Sequence, residues 1–447
     1  MIAILIVLVI WFSVNEVVAT DGQNWPGFRG PSASGVVEGE PVPSTWDLQA
    51  GKNVKWKAGI PGLGHSSPIV WQDHIFLTTA VSGQSDPQLR LGLYGDIASV
   101  SDSTEHKWMV YALDRKTGRI IWERVAHQGV PKVKRHTKST HANCTPATDG
   151  KRLVVFFGSE GLFCYDFSGK LLWSKNFGVL DSGFYIVPSA QWGFASSPII
   201  YNDMVIVQCD VQKNSFVAAF DIKTGKERWR TARADVPTWS TPNVLKFKSG
   251  PQLILNGWKH MGGYDPRTGK EIWKLGGGGD IPVPTPIAAG GFILIANAHG
   301  RLAPLYAIRP DASGDISLQE NQESNQFIAW SNLRNGAYMQ TPIAYNERIY
   351  SARDNGVLNV YKIQTGEVVY QERLGGGRSG MSASPVASDK KIFFTAEDGT
   401  VFVLESGPEY KLLAENTLAE SCMASPAISR GNIFFRTKGH LIAIGTN

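Results

Sequence analysis

Eight times along the chain a serine or threonine stands directly before a proline, and an apolar run of strand character follows. The eight pairs are Ser67-Pro68, Thr145-Pro146, Ser197-Pro198, Thr241-Pro242, Thr285-Pro286, Thr341-Pro342, Ser384-Pro385 and Ser425-Pro426. Successive prolines lie 78, 52, 44, 44, 56, 43 and 41 residues apart. A shared period of about 40–45 residues is that of a four-stranded propeller blade, a unit that buries its apolar face only by stacking on neighbours. Proline at the first residue of a strand removes no interior ladder bond, which suits a strand head. The two widest intervals call for insertions. The polar stretches Ser82–Lys107 in the first unit and Ala312–Phe327 in the fifth supply them.

A second mark recurs between the prolines. Ala112-Leu113-Asp114-Arg115-Lys116-Thr117-Gly118 leads to Trp122, Ala219–Gly225 leads to Trp229, and Gly263–Gly269 leads to Trp273. Thr-Gly reads as a tight turn, because glycine accepts positive φ and threonine bonds nearby backbone. Trp56, Trp122, Trp173, Trp229 and Trp273 fall at matching places, with Trp330 and Tyr370 less regularly spaced. Periodic indoles of this size are expected to wedge blade against blade. The last unit, Pro426–Ile444, holds three strands, and the unpaired strand Asn53–Lys57, which carries Trp56, supplies the fourth. Closure through the N-terminal strand removes two free edges. The expected fold is an all-β, eight-bladed β-propeller of four-stranded blades over 53–447, preceded by an extended segment over 20–52.

Composition agrees with many turns and large side chains: 47 glycines, 24 prolines and 14 tryptophans. The apolar run Ile2–Phe12, followed by Ser13, Asn15, Glu16 and the small residue Ala19, reads as a signal peptide over 1–19, with a retained signal-anchor as the alternative. No later stretch approaches the ~20 apolar residues of a membrane span. The protein is therefore expected to be exported and periplasmic or envelope-associated. A formal charge of +5, or +6 without Glu16, is too mild and dispersed for nucleic-acid binding. Cys144, Cys164, Cys209 and Cys422 are far apart and are expected as buried free thiols.

The string Ala-x-Asp-x-x-Thr-Gly-x-x-x-Trp, at Ala112–Trp122 and Ala219–Trp229, resembles the docking repeat of the pyrroloquinoline-quinone (PQQ) propeller superfamily. The resemblance covers about 53–447. Two branches are similar: quinoprotein alcohol and glucose dehydrogenases, and the propeller lipoprotein of the outer-membrane barrel-assembly machinery. Trp25-Pro26-Gly27-Phe28-Arg29-Gly30-Pro31 resembles the start of many exported members of the superfamily. The dehydrogenase branch implies PQQ packed on a ring of two adjacent bonded cysteines, with calcium held by Glu, Asn and Asp. This chain has no adjacent cysteines and no Cys-x-x-Cys-His haem motif. The assembly branch implies a lipidated cysteine, and none lies near the end of the apolar run.

Residues that do not repeat are the candidates for function. His65 and His141 each precede an inner strand and could act as acid–base groups near neutral pH. Trp192, Phe194, Trp239, Tyr338, Met339 and Met381 lie in the crossings between units and bring large side chains to one end face. Lys132–Lys138 is the densest basic run and is expected as a solvated loop, with recognition of an anionic polymer as the sharper alternative. His136, His141 and Cys144 do not match a zinc-ligand spacing. Gly276–Gly279 and Gly375–Gly377 lack the lysine and helix of a phosphate loop and read as flexible links. The expectation is a monomeric, non-enzymatic scaffold with no bound cofactor, whose end face takes a protein, peptide or polysaccharide. A PQQ- and calcium-dependent oxidoreductase is the alternative.

Overall fold

The computed structural model describes residues 24–84, 88–93, 95, 97–187, 189–377 and 379–446. The signal peptide expected over 1–19 lies outside them. Eight antiparallel sheets follow one another around a ring, each running from an inner strand to an outer one. Blade one comprises Ile69–Trp71, His74–Ser82, His106–Asp114 and Ile120–Gly129. Blade eight is split as the repeat required: Ala427–Ser429, Asn432–Arg436 and His440–Gly445 are completed by Val54–Gly59, with Trp56 opposite Ala443. No helix among the described residues is long and apolar enough to cross a membrane.

Two blades exceed four strands. Gly314–Asp315, from the insertion in the fifth unit, adds in parallel to the outer strand Glu271–Leu275 of blade four. Val36–Val37 adds in parallel to the inner strand Val386–Ser388 of blade seven.

The proline mark has a mechanical meaning that its spacing alone did not show. The backbone N–H of Ser67 donates to Thr145 Oγ1 at 3.0 Å, Thr145 to Ser197 Oγ at 2.9 Å, and Ser197 to Thr241 Oγ1 at 3.0 Å. The relay resumes from Thr285 to Thr341 at 2.9 Å, Thr341 to Ser384 at 3.0 Å, and Ser384 to Ser425 at 2.9 Å. Six of the eight hydroxyls therefore accept from the preceding blade. The hydroxyls of Ser67 and Thr285, at the two breaks in the relay, have no hydrogen-bond partner among the described residues.

The tryptophans hold the outer half of the ring. Trp56 Nε1 donates to Arg115 O at 3.0 Å, Trp122 to Phe167 O at 2.8 Å, Trp173 to Ile222 O at 2.9 Å and Trp229 to Pro266 O at 3.2 Å. Trp330 follows the same rule with Ile363 O at 3.0 Å. Each of these indoles lies on the turn glycine of the next blade. In every blade the register slips by one residue beside this position, a β-bulge that re-aims the side chain. Trp273 departs from the pattern: its Nε1 donates at 2.9 Å to Gln252 of its own blade, and Gln252 passes the link to Pro310 O of blade five. By register Pro310 is the blade-five counterpart of Pro266, so Gln252 bridges the indole to the usual acceptor carbonyl.

The turn glycine explains a testable cost. Gly225 has φ 68°, and an added Cβ would stand 2.7 Å from the Trp173 indole. Gly51 has φ 71° with nothing within 4 Å. Gly51→Ala is expected to lose about 1–2 kcal/mol from its left-handed backbone alone. Gly225→Ala should lose about 1–3 kcal/mol more through overpacking. Urea denaturation of both variants checks this, and equal losses would contradict the indole contact.

The N-terminal segment is more than an extension. Trp25, fully buried, pairs with Val70 of blade one through N–H···O bonds of 2.7 and 2.9 Å. Thr148 of blade two donates to Pro26 O at 2.8 Å, and Asn243 of blade four to Ser32 O at 2.8 Å. Arg29, also fully buried, donates to Pro385 O at 3.0 Å, Pro342 O at 3.3 Å, Ala33 O at 3.1 Å and Ser34 O at 3.1 Å. Contacts with inner strands of blades one, two, four, six and seven make residues 25–37 a plug in the central channel.

Candidate functional site

Because the strands alternate in direction, the crossings between blades and the hairpins joining second to third strands open at one end of the ring. The plug closes the channel below them. The result is a cup of about 680 Å³. Its lining includes Phe28 from the plug, with Ser67, Ser197, Thr241, Thr341, Ser384 and Ser425 of the proline relay.

One wall is a run of rings in mutual contact. His136 meets Trp192 edge-on at 5.2 Å, and Trp192 stacks on Phe184 at 5.5 Å with an interplanar angle of 2°. Trp239 lies 5.6 Å from Trp192, His299 lies 5.7 Å from Phe184, and Tyr338 stacks on His299 at 5.8 Å. All six rings line the cup. Their polar edges are tied: Trp192 Nε1 donates to Ile97 O at 3.1 Å and Trp239 Nε1 to Gly193 O at 2.8 Å. His299 has φ 81°, a strained backbone for a histidine, and its Nδ1 is 2.5 Å from Asp280 Oδ1. Burial pushes the Tyr338 phenol up, so it stays a neutral donor at ordinary pH.

The rest of the lining carries Arg334, Arg353 and Lys138. Arg353 is held by Arg334 O at 3.0 Å and by the Asn335 side chain. Lys138 is 4 % exposed and pairs with the fully buried Glu397 of blade seven at 2.7 Å. Glu397 also accepts from Gly92 N–H at 2.9 Å and from the Ser382 hydroxyl. His65 Nε2–H donates to Lys138 O at 2.9 Å. Burial holds its imidazole at about 4, below the ordinary 6.5, so it is neutral in the folded protein.

Of the residues expected at the end face, His65, Trp192, Trp239, Tyr338 and Met339 line the cup. Three do not. Phe194 turns into the core between blades two and three, 4.9 Å from Phe156. Met381 is buried in the core of blades six and seven. His141 is tied to Asp102 at 2.9 Å, outside the cup. The basic run is not a solvated loop either: Arg135, His136 and Lys138 are 2 %, 7 % and 4 % exposed. The hairpin tip of blade one folds onto it, Ser99–Val100 pairing with Arg135–His136 and Asp102 binding Arg135 Nε at 2.7 Å. The glycines 278 and 279 serve close packing, since added Cβ atoms would stand 2.5 Å from Gly257 O and 2.3 Å from Ala298 O.

Phe184, His299, Arg353 and Asp354 were not singled out by the sequence. Only the topology brings the turns that carry His299, Arg353 and Asp354 to the cup's end of the ring. The four cysteines are free and buried. Calcium takes six to eight oxygen ligands, several of them carboxylates. Among the described lining residues Asp354 is the only carboxylate, and Arg334, Arg353 and Lys138 share the lining. This donor set does not fit a calcium-held quinone.

Comparison with known proteins places the fold. Residues 106–330 match the family model described as outer membrane protein assembly factor BamB. Tetrathionate hydrolase of Acidithiobacillus ferrooxidans is 25 % identical over 274 residues, which are 54 % of this chain and 51 % of that protein. The chain thus spans about half the length of the curated relative it matches. BamB from Moraxella catarrhalis superposes with a TM-score of 0.54 at 13 % identity, covering 83 % of this chain and 97 % of that one. Quinohemoprotein alcohol dehydrogenase from Comamonas testosteroni superposes with a TM-score of 0.63 at 12 % identity, covering 96 % and 81 %. Such low identities establish the propeller alone. The family match over half the chain, on a closed ring of eight blades with recurrent docking tryptophans, shows that the chain belongs to the BamB-like family of PQQ-like β-propellers.

Proposed function

We propose that this protein is a non-enzymatic binding scaffold of the cell envelope, whose cup holds an extended acidic segment of a partner polypeptide. The observation that carries this is the continuous aromatic wall from His136 to Tyr338, facing a floor sealed by Phe28, with guanidinium groups from Arg334 and Arg353 in the same lining. Aromatic faces contribute contact area at low entropic cost, and guanidiniums pair with carboxylates in a fixed fork. The description of the matched family and the apolar run Ile2–Phe12 support the envelope address.

Titration of intrinsic tryptophan fluorescence tests the reading. The ligands are short acidic, neutral and basic peptides, a neutral oligosaccharide, and PQQ with calcium. The acidic peptides are expected to saturate the signal, more weakly as salt rises. Saturation by PQQ with calcium and not by the peptides would establish the quinoprotein alternative in its place. Preference for basic peptides or for the sugar would overturn the acidic-segment reading.

A further inference from the structure

Outside the cup, at the root of the long hairpin of blade one, three side chains of metal-ligating type converge. His106 opens the third strand, His141 lies in the crossing to blade two, and Asp102 lies in the hairpin tip that folds back between them. One ligating atom from each lies within 4.8 Å of those of the other two. The two imidazoles meet edge to face at 5.2 Å, and His141 Nε2 is 2.9 Å from Asp102 Oδ2. His106 is 3 % exposed. Its Nδ1–H donates to Thr104 O at 2.8 Å, which fixes the tautomer and leaves the Nε2 lone pair with no hydrogen-bond partner among the described residues. Metal-ligating histidines are oriented by this kind of outer bond to a carbonyl. The Trp108 indole, 5.9 Å from one imidazole and 6.2 Å from the other, walls the cluster.

We propose that Asp102, His106 and His141 bind a zinc-class divalent transition metal, with water in the fourth position. Two histidines and a carboxylate with one open place form a donor set that zinc accepts, with bonds of about 2.0–2.2 Å. The metal replaces the His141–Asp102 hydrogen bond by two coordinate bonds, and His141 then carries its proton on Nδ1. Arg135, 2.7 Å from Asp102 Oδ2, remains as the outer partner of the carboxylate. Its charge opposes the cation and makes the site weaker than a four-ligand structural zinc. Occupancy ties the hairpin tip to the crossing between blades one and two. Because Ile97 of that tip holds Trp192, the metal stiffens one wall of the cup.

The test uses untagged, full-length, metal-stripped protein titrated with cobalt(II). One equivalent is expected to give visible d–d bands of a low-symmetry site, displaced by zinc, and zinc should raise the melting temperature. His106→Gln should abolish the bands while the metal-free melting temperature is retained. No bands with the native protein, or undiminished bands with the variant, would overturn the proposal. If the variant fails to fold, X-ray absorption of the zinc-loaded native protein decides. Two imidazole ligands are expected, and none would overturn it.

Discussion

Lys138→Met is expected to lower the folding free energy by about 3–5 kcal/mol, because it strands the Glu397 carboxylate without its cation. The partners are 2.7 Å apart, with side chains 3 % and 0 % exposed, and 259 residues separate them in the chain. The pair spans from the crossing of blades one and two to blade seven. Glu397 keeps its bonds from Gly92 and Ser382 in the variant, yet those neutral donors do not replace an ammonium in a dry site. The double variant Lys138→Met with Glu397→Gln should recover most of the loss, since the amide oxygen still accepts from Gly92 N–H, the amide NH2 can donate to the Ser382 hydroxyl oxygen, and no charge is buried. Urea denaturation of both single variants and the double variant measures this. Additive losses would show that the ion pair is not the coupling element.

Arg29→Leu is the second large effect, expected at about 3 kcal/mol from buried carbonyls left without a donor. Burial alone lowers the guanidinium to about 9, and no carboxylate pairs with it in the described structure. Four carbonyls hold it instead, two of them from blades six and seven. Leucine fills part of the space but satisfies none of them. The plug should then loosen, and with it the floor that Phe28 provides. Urea denaturation gives the loss, and faster proteolysis within residues 24–52 reports the loosened plug. A loss below about 1 kcal/mol, the net worth of one ordinary hydrogen bond, would show that the plug is not anchored through this side chain.

The ring was legible because its signals repeat. Every blade restates the Ser/Thr-Pro head, and most restate the Gly turn and the indole, so a single irregularity such as Trp273 does not obscure the count. The split blade was legible because a missing fourth strand at one end matched a spare strand at the other. The cup was legible in part. Trp192, Trp239, Tyr338 and Met339 lie in crossings, which the spacing located, but spacing does not say which way a side chain turns. Phe194 and Met381 share those crossings and face the core. His299 and Arg353 sit in hairpins that carry no repeat mark, and only the alternation of strand direction brings them to the same end. Lys138 looked solvated because its burial depends on a hairpin tip whose docking on the basic run is a tertiary event.

A partner held in the cup must meet Trp192, its most connected ring. The decisive measurement is the peptide titration repeated with Trp192→Ala and, as a control, with Trp122→Phe at the outer docking position. An anisotropy label on the peptide gives affinity without relying on the removed indole. A desolvated aromatic anchor is worth about 2 kcal/mol or more, so affinity should fall at least ~30-fold in Trp192→Ala. It should be unchanged in Trp122→Phe. Equal affinity of both variants and the native protein would place binding outside the cup and contradict its role as the binding site.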